Sequence, residues 1–374
     1  MRLFILLTCI LIWSSCDIYK SLRYGGIPNQ NDYVHFPQRI IQNESPTFYF
    51  EQSIDSSLGK RIGLPSRSFN STNISLDAFV KRNKTIAFVI IRDDTIVYEN
   101  YERGYTDTSL YSSFSAVKPM LSTLIGIAIS EHKIGSIDDH MVKYLPEFKS
   151  KPGWEKITIK NLLHHTSGIQ YRDHKFSPTS DNAEFYWGNH LRSKVMTAEL
   201  ECPPDSIYRY SSENSMLLAL IIERVTGNTL SRYLQERLWK PLGMESPATW
   251  SLDRKDSEGI EKAFCCLQAR VLDYARFGRL YLHEGNWQGR QIVPQRWVDY
   301  SIHSDPSGHN KHFYNNNWGI GPLKYGSFFA AGLYGQYIYM YPEKNIIILR
   351  FGKADLNYNP PFWESIFTQI IDQL

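Results

Sequence analysis

The stretch Ser113-Phe114-Ser115-Ala116-Val117-Lys118-Pro119 runs directly into Met120-Leu121-Ser122-Thr123-Leu124-Ile125-Gly126-Ile127-Ala128-Ile129. This apolar run, with small residues spaced through it, predicts a buried helix that begins at Ser115. Serine and lysine three positions apart fall on one helix face, one turn from each other. A serine hydroxyl becomes a good nucleophile when a base takes its proton, and a lysine can be that base if its surroundings lower its pKa from about 10.4. The helix start adds backbone N–H groups that can hold a developing oxyanion. Pro119 falls in the first turn, where proline is best tolerated. Ser115 and Lys118 are therefore the candidate nucleophile and base. Taken alone, the pattern equally describes a helix-capping serine with a solvated lysine. It also occurs at Ser57 with Lys60 and at Ser130 with Lys133. The first of these lies in polar, glycine-containing sequence. The second lies at the far end of the apolar run, where the helical N–H groups are already used.

At 374 residues the chain is long enough for one large core or two smaller ones. Its 42% hydrophobic and 21% charged content are those of a globular protein. A net charge of +3 spread over this length offers no basic patch for nucleic acid. The 24 tyrosines would suit an aromatic pocket, although an aromatic core is the simpler use for them.

The first residues have the form of an export signal: Arg2, an apolar run over residues 3–13, then Ser14-Ser15-Cys16. The run is too short for a permanent membrane span. Small residues before a cysteine resemble a bacterial lipoprotein signal, which implies cleavage after residue 15 and a lipid anchor on Cys16. Ordinary cleavage to a soluble exported protein is the alternative. Either way the expected location is the cell envelope or periplasm. Cys202, Cys265 and Cys266 then remain. Neighbouring cysteines rarely pair, so one disulfide at most is expected. No metal-ligand spacing occurs, and no structural metal is expected.

Residues 16–75 are polar and broken by Gly25-Gly26, Pro28, Pro37, Pro46 and Pro65, so they are expected to form a tether and an irregular extension. Order is expected from Leu76. Thr85-Ile86-Ala87-Phe88-Val89-Ile90-Ile91 and Thr95-Ile96-Val97-Tyr98-Glu99 form a hairpin about Arg92-Asp93-Asp94, and their apolar character implies burial on both faces. Residues from about 131 to 251 have a mostly helical pattern. Within them His164-His165-Thr166-Ser167-Gly168 marks a tight turn, whose histidines suit packing beneath a loop better than reactivity. Tyr210 and Ser212 lie on a turn feeding the apolar helix that stops at Gly227. Another helix follows Ala269, and Tyr337 to Met340 with Ile346 to Phe351 form a second hairpin. Trp363, Ile366, Phe367, Ile370, Ile371 and Leu374 recur at helical spacing. Strands near both ends and helices between them predict one α/β (α+β) unit built by the two chain ends, carrying a helical insertion. A site is expected in the cleft between the two.

These pieces together resemble the serine β-lactamase and penicillin-binding-protein superfamily, in its class C and esterase-like branch. They look closest to the 6-aminohexanoate-dimer hydrolase type of amidase or esterase. The resemblance rests on Phe114-Ser115-x-x-Lys118, Leu162-Leu163-x-His165-Thr166-Ser167-Gly168, Tyr210-Ser211-Ser212, Ala269-Arg270-x-x-Asp273-x-Ala275-Arg276-Phe277-Gly278 and Gly332-x-x-Gly335-Gln336. It covers residues 76–374 and implies a β-lactamase-like fold: an antiparallel sheet flanked by helices, a mostly helical second subdomain, and the active site between them. It implies that Ser115 is acylated, that Lys118 takes or poises its proton, and that Tyr210 relays protons. It places the oxyanion hole at the N–H groups of Ser115 and Leu333, with Ser212 and Gly332 as secondary site residues. No cofactor is implied, and the substrate is a small amide or ester.

Two departures narrow this. Ser212 stands where β-lactamases carry asparagine. Ala330-Ala331-Gly332 stands where they carry Lys-Thr-Gly or His-x-Gly. Losing a charge-assisted hydrogen bond costs about 1.5–3 kcal/mol, so a substrate without the β-lactam or peptide carboxylate is expected. A D-aminopeptidase or carboxypeptidase, and a lipid-anchored sensor acylated without turnover, are the alternatives.

Overall fold

The computed structural model describes residues 23, 24, 26–66, 73–173, 177, 179–305, 313–353 and 360–374. The signal expected over residues 1–15 and the anchor expected at Cys16 lie outside the described residues.

Strand Thr85–Arg92 is buried at every position but its last. Asp93 and Asp94 then adopt φ of 50° and 58°, the left-handed pair whose twist suits a two-residue hairpin. The return strand Thr95–Tyr101 alternates half-buried and buried positions as far as Tyr98 and is half-buried beyond it, so burial on both faces holds for the first arm alone. The late hairpin, Gln336–Tyr341 with Ile346–Gly352, is buried throughout. The two hairpins meet in the middle of the sheet, where Ile348 pairs with Ile90 and Leu349 with Val89. The full order is Tyr314–Asn315, Trp318–Ile320, Phe328–Gly332, Gln336–Tyr341, Ile346–Gly352, Thr85–Arg92, Thr95–Tyr101 and Glu51–Gln52. Every neighbouring pair is antiparallel except the last, which is parallel.

Side chains leave a strand alternately to its two faces, and here each face closes its own core. Ile338, Met340, Ile347, Leu349 and Val89 join the core that contains helix Lys118–Ser130 and the helical lobe. Tyr337, Tyr339, Ile346, Ile348, Phe88 and Ile90 face a second core, closed by helices Leu76–Arg82 and Pro360–Ile371. The helical lobe contributes Ile159–His164, Asp181–Trp187, Leu191–Met196, Ser212–Thr226 and Leu230–Leu234. The chain ends do build the sheet, and the region between them supplies the lobe.

Two expectations need correction. The segment read as a tether is in large part folded: Gln38–Ile41 is the outer strand of a second sheet with Ala248–Ser251, Leu267–Ala269 and Tyr111–Ser112. Phe36, Ile41 and Phe50 are buried in the main core. Pro37 stands just before this edge strand, where a missing N–H costs no ladder bond. The strand is only four residues long, and its partners lie far away in sequence, so no local pattern announces it. The expectation of one disulfide at most holds among the described residues, but the bond joins the neighbours Cys265 and Cys266, the pairing held to be rare. Cys266 has a φ of 72°, a left-handed turn that carries the two adjacent side chains to one side of the chain.

Ile90 sits at the centre of the sheet, fully buried. Ile90→Ala is expected to cost about 2–5 kcal/mol, read as a lower urea midpoint with an unchanged slope.

Candidate active site

The turn that carries Ser115 is held by strand Leu267–Ala269, the partner of strand Tyr111–Ser112. Ser113 donates its N–H to Leu267 O at 2.9 Å, and Leu267 N–H donates back to Ser113 Oγ at 3.3 Å. Phe114 then takes a φ of 44°, a conformation that costs a non-glycine residue about 1–2 kcal/mol. Strain of this kind persists only where the surroundings enforce it, and it concentrates at functional sites. A 3-10 turn, Phe114–Val117, leads into helix Lys118–Ser130, with Pro119 in its first turn. Ser115 therefore lies one tight turn ahead of the helix proper.

Lys118 Nζ lies 3.0 Å from Ser115 Oγ and donates to Phe264 O at 2.9 Å. Its other side faces the Tyr210 ring, 4.6 Å from the centroid. Only 1% of Lys118 is exposed, and burial lowers its pKa to about 7. A neutral amine fits these contacts well: one N–H on Phe264 O and a lone pair toward the serine hydroxyl. The other two Ser-x-x-Lys matches are surface structure. Ser57 Oγ donates to Asp55, and Lys133 pairs with Glu131 at 3.8 Å.

Tyr210 precedes helix Ser212–Thr226, whose N-cap is Ser211. The residue is 38% exposed, yet its hydroxyl turns inward to the Ser115 side chain. Burial pushes its pKa up to about 12, against the lowering effect of that hydrogen bond. Tyr210 is thus a protonated phenol near neutral pH, and Lys118 is the group able to accept a proton.

The His-Thr-Ser-Gly motif builds the support for this tyrosine. His165 packs against Tyr210 with ring centroids 4.5 Å apart. Its Nδ1 accepts from Ser211 N–H at 3.3 Å and from Asn214 Nδ2 at 3.0 Å. Ser167 Oγ donates to Asn214 Oδ1 at 2.7 Å. Arg209 N–H donates to His165 O at 2.8 Å. Burial, then the neighbouring Lys118, holds the His165 pKa well below the usual imidazole range, so the ring is a neutral support. Gly168 has a φ of 73°, and a β-carbon there would lie 2.2 Å from Cys202 O. That glycine lets the motif close onto the segment leading to Tyr210.

On the opposite wall, strand Phe328–Gly332 ends against the nucleophile turn. A β-carbon on Gly332 would lie 2.5 Å from Ser113 O and 3.1 Å from Ser115 N. Only glycine permits this approach, which sets the end of the strand directly against the Ser115 turn. Ser212 Oγ is 3.0 Å from the Tyr171 hydroxyl, which also reaches Asn182 Oδ1 at 2.7 Å.

The structure therefore brings Ser115, Lys118 and Tyr210 together and sets Gly332 against the same turn, while the contact of Ser212 is with Tyr171. Sequence reasoning marks the loops at Tyr171 and Phe264 as pocket-shaping but gives no role to Phe264, whose part is played by a main-chain carbonyl, or to Tyr171, which reaches Ser212. Neither carries a local signal.

Residues 76–355 match the family model described as Beta-lactamase. Over 301 residues the chain is 24% identical to the 6-aminohexanoate-dimer hydrolase of Paenarthrobacter ureafaciens, a match covering 74% of each chain. It is 30% identical over 188 residues to a candidate D-alanyl-D-alanine carboxypeptidase of Escherichia coli K12, covering 43% of this chain and 42% of that one. Among solved structures, a candidate 6-aminohexanoate-dimer hydrolase from Bacillus anthracis superposes with a TM-score of 0.80 at 25% identity, covering 91% of this chain and 92% of that chain. The octameric penicillin-binding protein homologue from Pyrococcus abyssi shares the fold, with a TM-score of 0.61 at 21% identity over 79% and 76% of the two chains.

The Lys118 environment sets a pH dependence. Below about 7 the amine is protonated and cannot accept the serine proton. The rate at which an activated ester acylates Ser115 is expected to rise with pH through about 7 and level off above it. Mass spectrometry of the adduct across a pH series checks this, and Lys118→Ala is expected to remove the limb together with most of the rate.

Proposed function

The chain belongs to the beta-lactamase family, and we propose that it is a serine hydrolase that cleaves a small amide or ester through a Ser115 acyl-enzyme. The observation that carries this reading is the 3.0 Å approach of a buried Lys118 amine to Ser115 Oγ. Ser115 Oγ attacks the substrate carbonyl while its proton passes to Lys118 Nζ. The negative charge that forms on the carbonyl oxygen is held by the N–H groups of Ser115 and Leu333. Collapse expels the amine or alcohol, which leaves with a proton delivered through Tyr210. Water, deprotonated by the same pair, then attacks the acyl group and releases the acid and free Ser115. Every proton taken from one reactant is returned to another, so no cofactor enters the scheme.

Ala330 and Ala331 bear on the substrate class. They occupy the end of the strand beside the nucleophile turn, and neither offers a charge or a hydroxyl to a substrate carboxylate. A neutral acyl donor is therefore favoured over a β-lactam or a D-alanyl-D-alanine peptide. The naming of the Paenarthrobacter relative agrees with an amide substrate class. The Escherichia coli relative supports the peptidase reading over less than half of either chain. Export and lipidation at Cys16 belong to this proposal and rest on the sequence alone.

Ser115→Ala is expected to abolish turnover of 4-nitrophenyl esters of short acyl chains while leaving thermal unfolding unchanged. Turnover that survives the substitution would overturn the reading. A stable Ser115 adduct without turnover would support the sensor instead. Release of D-alanine from a cell-wall peptide faster than hydrolysis of neutral esters would support the peptidase.

A further inference from the structure

Two buried glutamines from opposite ends of the chain meet on one backbone group. Gln30 accepts the Ser112 N–H at 2.9 Å, and its amide donates to Ser112 O at 3.4 Å and to Gly352 O at 3.3 Å. Gln336 accepts the Gly352 N–H at 2.8 Å, and its amide donates to Gly352 O at 3.0 Å and to Leu333 O at 2.7 Å. Both side chains are at most 1% exposed. The result is a continuous hydrogen-bonded path from Ser112, three residues before the nucleophile, through Gln30, Gly352 and Gln336 to Leu333. Its two ends are the segments that carry the two oxyanion N–H groups.

The same turn is held from either side of that path. Tyr334 donates its hydroxyl to Pro28 O, and its ring meets Phe114 edge-on with centroids 5.6 Å apart. Arg350 donates to Tyr334 O and, at 2.8 Å, to Gly335 O. Tyr334 has a φ of 66°, so the turn sits in a conformation that needs outside support.

We propose that Gln30 and Gln336 are positioning residues for the oxyanion hole, and that the segment around residues 28–32 is thereby part of the catalytic unit. This rests on the hydrolase reading above. Oxyanion stabilisation depends on donors placed before charge develops, and small misplacements cost rate steeply. Two donors on separate segments need a rigid brace between those segments. Backbone–amide bonds in a dry interior supply one, because each amide side chain both donates and accepts. The brace hydrogen-bonds to neither Lys118 nor Tyr210. It should therefore act on the developing oxyanion and leave the proton acceptor alone.

The test compares Gln30→Leu and Gln336→Leu in the full chain, and the double variant, on a 4-nitrophenyl ester and its thionoester counterpart. The carbonyl oxygen of the first engages the hole, while sulfur in the second engages it poorly. For the oxoester, kcat is expected to fall roughly tenfold to a hundredfold with KM changed less than about twofold. The thionoester should lose less than about threefold. The rising limb near pH 7 should stay in place, and the double variant should lose little more than the worse single one. Equal losses on both esters, or none on either in folded protein, would overturn the proposal. Amide hydrogen exchange provides a readout independent of turnover. Gln30→Leu should speed exchange in residues 332–335, which Gln30 does not touch, and unchanged exchange there would overturn the brace. If the parent protein hydrolyses neither ester, the hydrolase reading fails and exchange alone decides the brace. Gln30→Asn, one methylene shorter, replaces the leucine variant if that does not fold.

Discussion

A primary amine enclosed by protein, with burial as the sole cause of its shifted pKa, is the constraint on which the site depends. Low-dielectric surroundings disfavour the ammonium ion, and this brings Lys118 to about the pH at which it can both accept and return a proton. The neighbours are consistent with that state. Phe264 supplies a neutral carbonyl, Tyr210 supplies an aromatic face and a phenol, and His165 is kept uncharged. A carboxylate beside Nζ would instead stabilise the ammonium form. The apolar helix Lys118–Ser130 that begins at this lysine is itself buried along most of its length.

Around that amine the protein assembles two walls of different origin. The sheet wall brings Gly332 and Leu333 up to the nucleophile turn, and the lobe wall brings Tyr210. Each wall approaches through a residue that tolerates unusual closeness or backbone: Gly332 against Ser113 and Ser115, Gly168 against Cys202. Gly332 sits where any side chain would hold the strand off the Ser115 turn, and Gly168 sits where one would hold two segments of the lobe apart. The strained φ of Phe114 belongs to the same economy of space.

The parts of this arrangement visible in the sequence were those with local pattern. The apolar helix after Ser115, the two hairpins and the motif order from Ser115 to Gln336 could be read, since each depends on neighbours a few residues away. What could not be read depends on partners distant in sequence or on the main chain. Gln38–Ile41 is too short to show alternation and gains its place from Ala248–Ser251. Phe264 contributes only a carbonyl, which every residue possesses. Gln30 sits in polar, proline-broken sequence that has the composition of a linker, and its importance lies in what Ser112 and Gly352 do around it. The pairing of Cys265 with Cys266 depends on a left-handed turn that composition does not reveal.

The central pairing of Ile348 with Ile90 joins residues about 260 positions apart. Contacts of such long range close late, after local hairpins and helices have formed, because the entropy of the intervening loop must first be overcome. The nucleophile helix lies just after the early hairpin, whereas Leu333 and the strand that delivers it come from the late one. A growing chain thus holds Ser115 and Lys118 long before it holds the wall that completes their site. Until those strands arrive, the Ser115 turn lacks the close approach of Gly332. The setting of Ser115 and Lys118 is in this sense a property of the finished chain, and a partly made one carries the residues without the surroundings.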